Sequence, residues 1–194
     1  GIHRYFGGKA MAADLLCNDI GIAPQPFAGF GRGTRKQAQL ASAVGFLLVR
    51  YALRLMAPEI DSDHWVLDKN GKPSLGKGAP CFSLSHTDFG VAAVIYENEV
   101  GIDLESVRPL RRQLASRFAS EDELARALAS DDPDSALIRL WTKKEAVAKR
   151  NGIGIGQDLR RLDLSHTASI PLTLGGLPHW LSLSPSDEPP ALGL

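Results

Sequence analysis

Apolar spacing along the chain predicts one long helix, a cluster of short strands, two further helices and a last set of strands. Downstream of Thr34, the residues Leu40, Val44, Leu47, Leu48, Tyr51 and Leu55 recur at threes and fours until Pro58, the pattern of an amphipathic helix that covers a sheet. Residues 1–33 are rich in Gly and Pro without sustained periodicity and read as loop with one short strand. Segments 81–85, 91–96 and 99–105, joined by turns at 87–90 and at Glu97-Asn98, predict a three-stranded antiparallel meander.

Ser120 followed by Glu123 forms a capping box for a helix over 121–130, and Asp132-Pro133 supplies an N-cap and a first-turn proline for another that runs to about Arg150. The run Gly152-Ile153-Gly154-Ile155-Gly156 ends that helix; short strands are expected near 161–164 and 181–183, before a loose Pro-rich tail over 184–194. With no fixed-period repeat and no long linker, this order predicts an α+β fold in two halves, divided as 1–98 and 99–194.

The most informative segment is Val100-Gly101-Ile102-Asp103-Leu104-Glu105. As a strand it sends Val100, Ile102 and Leu104 to the core and Gly101, Asp103 and Glu105 to the other face, where two carboxylates stand beside a residue with no side chain to block a ligand. All-oxygen ligation of this kind suits magnesium. An edge strand with a polar outer face explains an isolated Asp-x-Glu equally well. In the helix 133–150, however, Ile138, Trp141, Glu145 and Lys149 share one face. A Glu four residues before a Lys is commonly a solvated pair worth ~0.3 to 0.5 kcal/mol, but a face carrying Ile138 and Trp141 points inward. A carboxylate there needs a partner, and a cation shared with Asp103 and Glu105 supplies one.

Two further segments bear on the chemistry. Ser85 and His86 end the strand Phe82-Ser83-Leu84-Ser85-His86 where they can donate to phosphate oxygens, although a histidine at a strand end is often structural; Asn70-Gly71-Lys72-Pro73 is a turn that presents a lysine. Asp88-Phe89-Gly90 has no kinase partners and reads as a turn, and neither a dinucleotide glycine loop nor a G-x-S-x-G elbow is present.

Composition narrows the partners. The 194 residues carry 22 Lys plus Arg against 22 Asp plus Glu, so no overall field draws the chain to nucleic acid or an anionic membrane. No apolar run reaches the ~20 residues of a membrane span, and the N-terminus has no signal-peptide pattern. Cys17 and Cys81, far apart, read as reduced thiols of a cytoplasmic protein.

Taken together, Gly71-Lys72-Pro73, Phe82 to His86, Gly101 to Glu105, Arg117-Phe118-Ala119-Ser120 with Glu123, and Trp141-Thr142-Lys143-Lys144-Glu145-Ala146 with Lys149 resemble the 4′-phosphopantetheinyl transferase superfamily. They match its larger class, whose single chain holds two similar halves related by a pseudo-twofold axis, each a small antiparallel sheet on helices. The resemblance implies transfer of the phosphopantetheine arm of coenzyme A to a serine of an acyl or peptidyl carrier protein by a monomeric enzyme. It places magnesium on Asp103, Glu105 and Glu145, makes Glu145, Lys149 and Asp103 catalytic, and sets Lys72, Ser85, His86, Lys149 and Ser42 against coenzyme A. The family's basic residue before that hydroxyl is Ala41 here, which shifts the charge to Arg35 or Lys36, and the part after Gly156 is shorter than usual. Arg108, Arg111, Arg112 and Arg117 read either as a docking patch for an acidic carrier or as a solvated basic face. A non-catalytic binder of coenzyme A or of a partner with the same fold is the competing reading.

Overall fold

The computed structural model describes residues 3–7, 36–61, 65–67, 72–153 and 158–186. The long helix α1 spans Lys36–Met56. Its buried face is Ala41, Val44, Val49, Ala52 and Leu53 with Phe46, whereas Tyr51 is 56% exposed. The buried stripe is therefore rotated from the predicted one: of its described residues only Val44 is fully buried, Leu47 and Leu48 are half-buried, and Tyr51 faces outward. Gly45 lets α1 approach the sheet closely, since a Cβ there would lie 3.1 Å from the Leu84 side chain. The side chains of Leu40 and Leu55 fall outside the described residues.

Strands β1 (His3–Gly7), β4 (Cys81–His86) and β5 (Val91–Tyr96) form one antiparallel sheet in the order β1-β5-β4. A separate two-stranded ribbon pairs β2 (Val66–Leu67) with β3 (Pro73–Ser74). Under α1, Phe46, Trp65 and Phe82 meet edge to face, with Phe46 and Trp65 centroids 4.6 Å apart.

Strand β6 (Gly101–Ser106) does not complete the expected meander. It leaves β5 and joins a second sheet, in the order β6-β8-β7, with β7 (Ala168–Leu174) and β8 (Leu177–Ser184). In each three-stranded sheet the first strand in sequence pairs with the last. Between the sheets Ala92, Val94, Val100, Ile102, Leu104, Leu181 and Leu183 form one buried cluster, so Val100, Ile102 and Leu104 face the core as their alternation predicts.

No strand forms at the expected 161–164: a 3-10 turn at Leu159–Arg161 precedes an irregular 162–164. Strand β7 has no clear strand pattern because Pro171 interrupts it; the proline is accommodated because β7 is an edge. The Gly175-Gly176 turn, with φ of +58° and +77°, is the legible sign of the β7-β8 hairpin. Cys17, residues 187–194 and the glycines at 154 and 156 lie outside the described residues.

Helix α2 (Arg112–Ala115) is a single turn. Helices α3 (Glu121–Leu128) and α4 (Pro133–Arg150) start where their caps predict, with the reciprocal capping box of Ser120 and Glu123 and the Asp132 side chain accepting from Ser135 N. The box carboxylate has a second task. Glu123 Oε2 takes the Ser120 amide at 2.8 Å while Oε1 pairs at 2.8 Å with Lys144, whose side chain is fully buried and also donates to the Arg160 carbonyl.

Helix α4 lies directly on β6. A Cβ at Gly101 would stand 1.9 Å from the Ala146 carbonyl oxygen and 2.6 Å from Arg150 N. The missing side chain, expected to leave room for a ligand, is filled by helix backbone. Gly101→Ala is accordingly expected to destabilise by roughly 3 kcal/mol, by urea denaturation, since the obstacle is backbone that cannot swing aside. Glu123→Ala is expected to destabilise by about 3 kcal/mol and Lys144→Met by much less, because only the former strands a buried cation. Comparing their urea midpoints checks this.

Candidate functional site

The two sheets meet along β4 and β6, which run in the same direction. No backbone ladder joins them there: the Ile102 and Leu104 amides donate instead to the hydroxyls of Ser83 and Ser85, each at 3.1 Å. Lys149, projecting from α4, takes up both sides of the same seam. Its Nζ donates to Leu84 O at 3.2 Å, to Ile102 O at 3.1 Å and to Asp103 Oδ1 at 2.7 Å. An ammonium has three protons, and all three are used.

Asp103 is buried, and its two oxygens differ. Oδ1 receives Lys149 and also the Ser85 hydroxyl at 2.8 Å; Oδ2 is buried with no hydrogen-bond partner. A buried carboxylate oxygen left bare is unfavourable unless something else approaches it. Glu145, one turn before Lys149 on α4, is half-buried. Burial first, then the negative charges of Asp103 and Glu105, push its carboxyl above the ordinary Glu range, with Lys149 opposing. Those charges place the three carboxylates in one electrostatic neighbourhood.

Glu105 is turned to other partners. Oε2 pairs with Arg108 at 2.7 Å, and Oε1 accepts from the Trp141 indole at 3.4 Å, while Trp141 packs on Phe118. Among the described residues no three acidic, imidazole or thiol groups already stand close enough to hold an ion. The donor chemistry fits an oxygen-liganded divalent cation, with Asp103 Oδ2 as its bare ligand, but the three expected ligands are not gathered into a finished cage.

The expected nucleotide contacts are dispersed. Lys72 is ion-paired with Glu99 and donates to Arg150 O at 3.3 Å, so it secures the end of α4. The Ser85 hydroxyl is buried and its single proton goes to Asp103, which leaves no donor there for a phosphate. His86 is exposed at the end of β4, and Ser42 is half-buried on α1. Ala41, where the resemblance leads one to expect a basic residue, is buried against Val44 and Val91, an environment that excludes a charge. Arg35 and the side chain of Lys36 lie outside the described residues. Arg108, Arg111, Arg112 and Arg117, in the segment that follows β6, are all exposed.

Sequence reasoning assigned no role to Ser83, Lys144 or His179. His179 is buried on β8, within 2.9 Å of Ser106 Oγ and 3.4 Å of Thr87 Oγ1, and it links the ends of β6 and β4. The alternation of Ser83 and Ser85 was the one available sign of a polar seam; burial of a lysine or histidine has no local signature.

A model of the 4′-phosphopantetheinyl transferase superfamily matches residues 99–187. The chain is 37% identical over 132 residues to the 4′-phosphopantetheinyl transferase HetI of Nostoc, covering 62% of this chain and 55% of that protein. It is 36% identical over 128 residues to the transferase AcpT of Salmonella typhimurium, covering 62% of each. Against AcpT of Escherichia coli O157:H7 it is 32% identical over 145 residues, 72% of this chain and 69% of the relative. The chain thus spans little more than half of the first of these relatives. The family model takes in β6 and α4, with Asp103, Glu105, Glu145 and Lys149, and the chain belongs to the 4′-phosphopantetheinyl transferase superfamily.

Proposed function

We propose that this chain transfers the 4′-phosphopantetheine arm of coenzyme A to a serine of an acyl or peptidyl carrier protein, releasing adenosine 3′,5′-bisphosphate. The observation that carries the reading is Asp103, buried with one bare oxygen beside the raised carboxyl of Glu145. The names of the relatives point to the same reaction. Asp103, Glu105 and Glu145 would hold Mg2+, which when bound offsets charge on the pyrophosphate oxygens. Arg108 and Trp141 hold Glu105 in place, and each of its oxygens has a lone pair to spare.

The serine hydroxyl oxygen forms a bond to the β-phosphorus, the bond from that phosphorus to the bridging oxygen breaks, and the hydroxyl proton passes to Glu145. A carboxyl held above its usual range is the better base near neutral pH. Lys149 reaches a phosphate by exchanging one of its carbonyl bonds for a phosphate oxygen. His86 and Ser42 on α1 approach the nucleotide, and Lys72 reaches it by exchanging Glu99 for a phosphate oxygen. The exposed arginines from 108 to 117 form the carrier's docking face. The halves 1–98 and 99–194, with their like strand orders, are related by a pseudo-twofold axis, and the protein works as a cytoplasmic monomer.

Incubation with coenzyme A, Mg2+ and an apo carrier is expected to add one phosphopantetheine group to the carrier, read by intact mass, and Asp103→Ala to lose at least 100-fold in rate. Binding of coenzyme A without any gain across several carriers would instead establish a binder. A raised carboxyl such as that of Glu145 is charged unfavourably in the fold, so its penalty is present above the folded pKa and vanishes as pH falls to the ordinary Glu range. Metal-free Glu145→Gln is therefore expected to melt higher than the parent at pH 7 and level with it at pH 4, while its transfer rate collapses.

A further inference from the structure

We infer that Ser85 is a positioning residue for the cation: by donating its hydroxyl proton to Asp103 Oδ1, it leaves Oδ2 as the one oxygen presented to a divalent ion. This role rests on the function proposed above, and it gives Ser85 a different task from the phosphate contact that the family resemblance implies.

Ser83 and Ser85 sit two residues apart on β4, and each accepts a β6 amide at 3.1 Å in place of a ladder bond. To that extent they are equivalent. They differ in their protons, because the Ser85 hydroxyl goes on to donate at 2.8 Å to the carboxylate that flanks the Leu104 amide it accepts. Ser85 is thus a relay with its lone pair on β6 backbone and its proton on a β6 side chain.

The terminal torsion of an aspartate is broad and two-fold, so a single donor does not decide which oxygen faces it. Lys149 alone would be such a donor. Two donors converging on Oδ1, Lys149 at 2.7 Å and Ser85 at 2.8 Å, remove the ambiguity and use that oxygen's lone pairs. Oδ2 is left buried and without a partner. An oxygen so placed has been desolvated in advance and is oriented before any ion arrives, which is how outer partners of metal-binding carboxylates raise affinity. The Ser85 hydroxyl is itself buried and its proton is committed, so it has nothing to offer a nucleotide phosphate.

The test titrates Mn2+ into the whole chain without coenzyme A, with free Mn2+ read by electron paramagnetic resonance. Ser85→Ala is expected to weaken Mn2+ binding roughly 10- to 100-fold, and Ser85→Thr, which keeps the hydroxyl, to restore most of it. Ser83→Ala is the control: it removes the same kind of seam bond without touching Asp103, and is expected to lower the urea midpoint but keep Mn2+ affinity. Adenosine 3′,5′-bisphosphate binding measured without metal is expected to be the same in Ser85→Ala as in the parent. Unchanged Mn2+ affinity in Ser85→Ala overturns the inference, as does an equal loss in Ser83→Ala, which would mark general loosening. A metal-free loss of nucleotide binding in Ser85→Ala overturns it in favour of the phosphate contact. Should Ser85→Ala not fold, Ser85→Cys, with a much weaker donor of similar size, decides on the same readout. A parent chain that binds no Mn2+ removes the proposed cation site and this inference with it, whereas tight binding that ignores Ser85 removes the inference alone.

Discussion

The fold depends on one lysine placed where two sheets fail to pair. Along β4 and β6 the backbone groups of both edges are buried, and a buried amide or carbonyl without a partner is unfavourable by several times the net worth of a hydrogen bond. Ser83 and Ser85 answer the amides of Ile102 and Leu104, and Lys149 answers the carbonyls of Leu84 and Ile102. The ammonium can sit half-buried there because Asp103 neutralises it. Structural closure and the candidate site are therefore one network: the group that satisfies the seam also polarises the carboxylate at its centre.

Close approach of α4 to β6 makes this network possible. Gly101 lets the Ala146 carbonyl settle against the strand, and this brings Lys149 to the seam and Glu145 into the field of Asp103. Groups with no part in the proposed chemistry secure α4 on either side of this contact. Thr142 Oγ1 lies 2.7 Å from Ser182 Oγ, and Lys144 is tied to Glu123. The helix is thus held from β6, from β8 and from α3, which is the kind of rigid support a site built from carboxylates of different elements requires.

The site also carries opposing demands. Three carboxylates in one neighbourhood repel, and burial adds to the penalty on Glu145. Lys149 relieves Asp103, and Arg108 relieves Glu105. Arg108 and Trp141 turn Glu105 away from a common centre, so the three do not form a finished cage among the described residues. The proposed divalent cation would compete with Arg108 for Glu105, and part of its binding energy would go into regathering the ligands.

Much of this was legible along the chain. The capping box at Ser120, the N-cap at Asp132, the inward face of Val100, Ile102 and Leu104, and the shared helix face of Glu145 and Lys149 all follow from periodicities of two and 3.6 and from cap chemistry, which are local rules. Other features depend on which distant segment lies alongside. The partner of β6 is β8, some eighty positions away, and a turn at Glu97-Asn98 could as well have closed a meander. Gly101 could be assigned to an open site or to a close helix only once α4 had docked. The same holds for Ser85 and Lys72, whose hydrogen-bonding groups read as available for phosphate until the fold supplied Asp103 and Glu99. Sequence determined which groups are candidates for the chemistry, because residue type and spacing are written locally; tertiary structure decided which of their bonds are already taken, because buried polar groups must be satisfied by whatever the fold brings within reach.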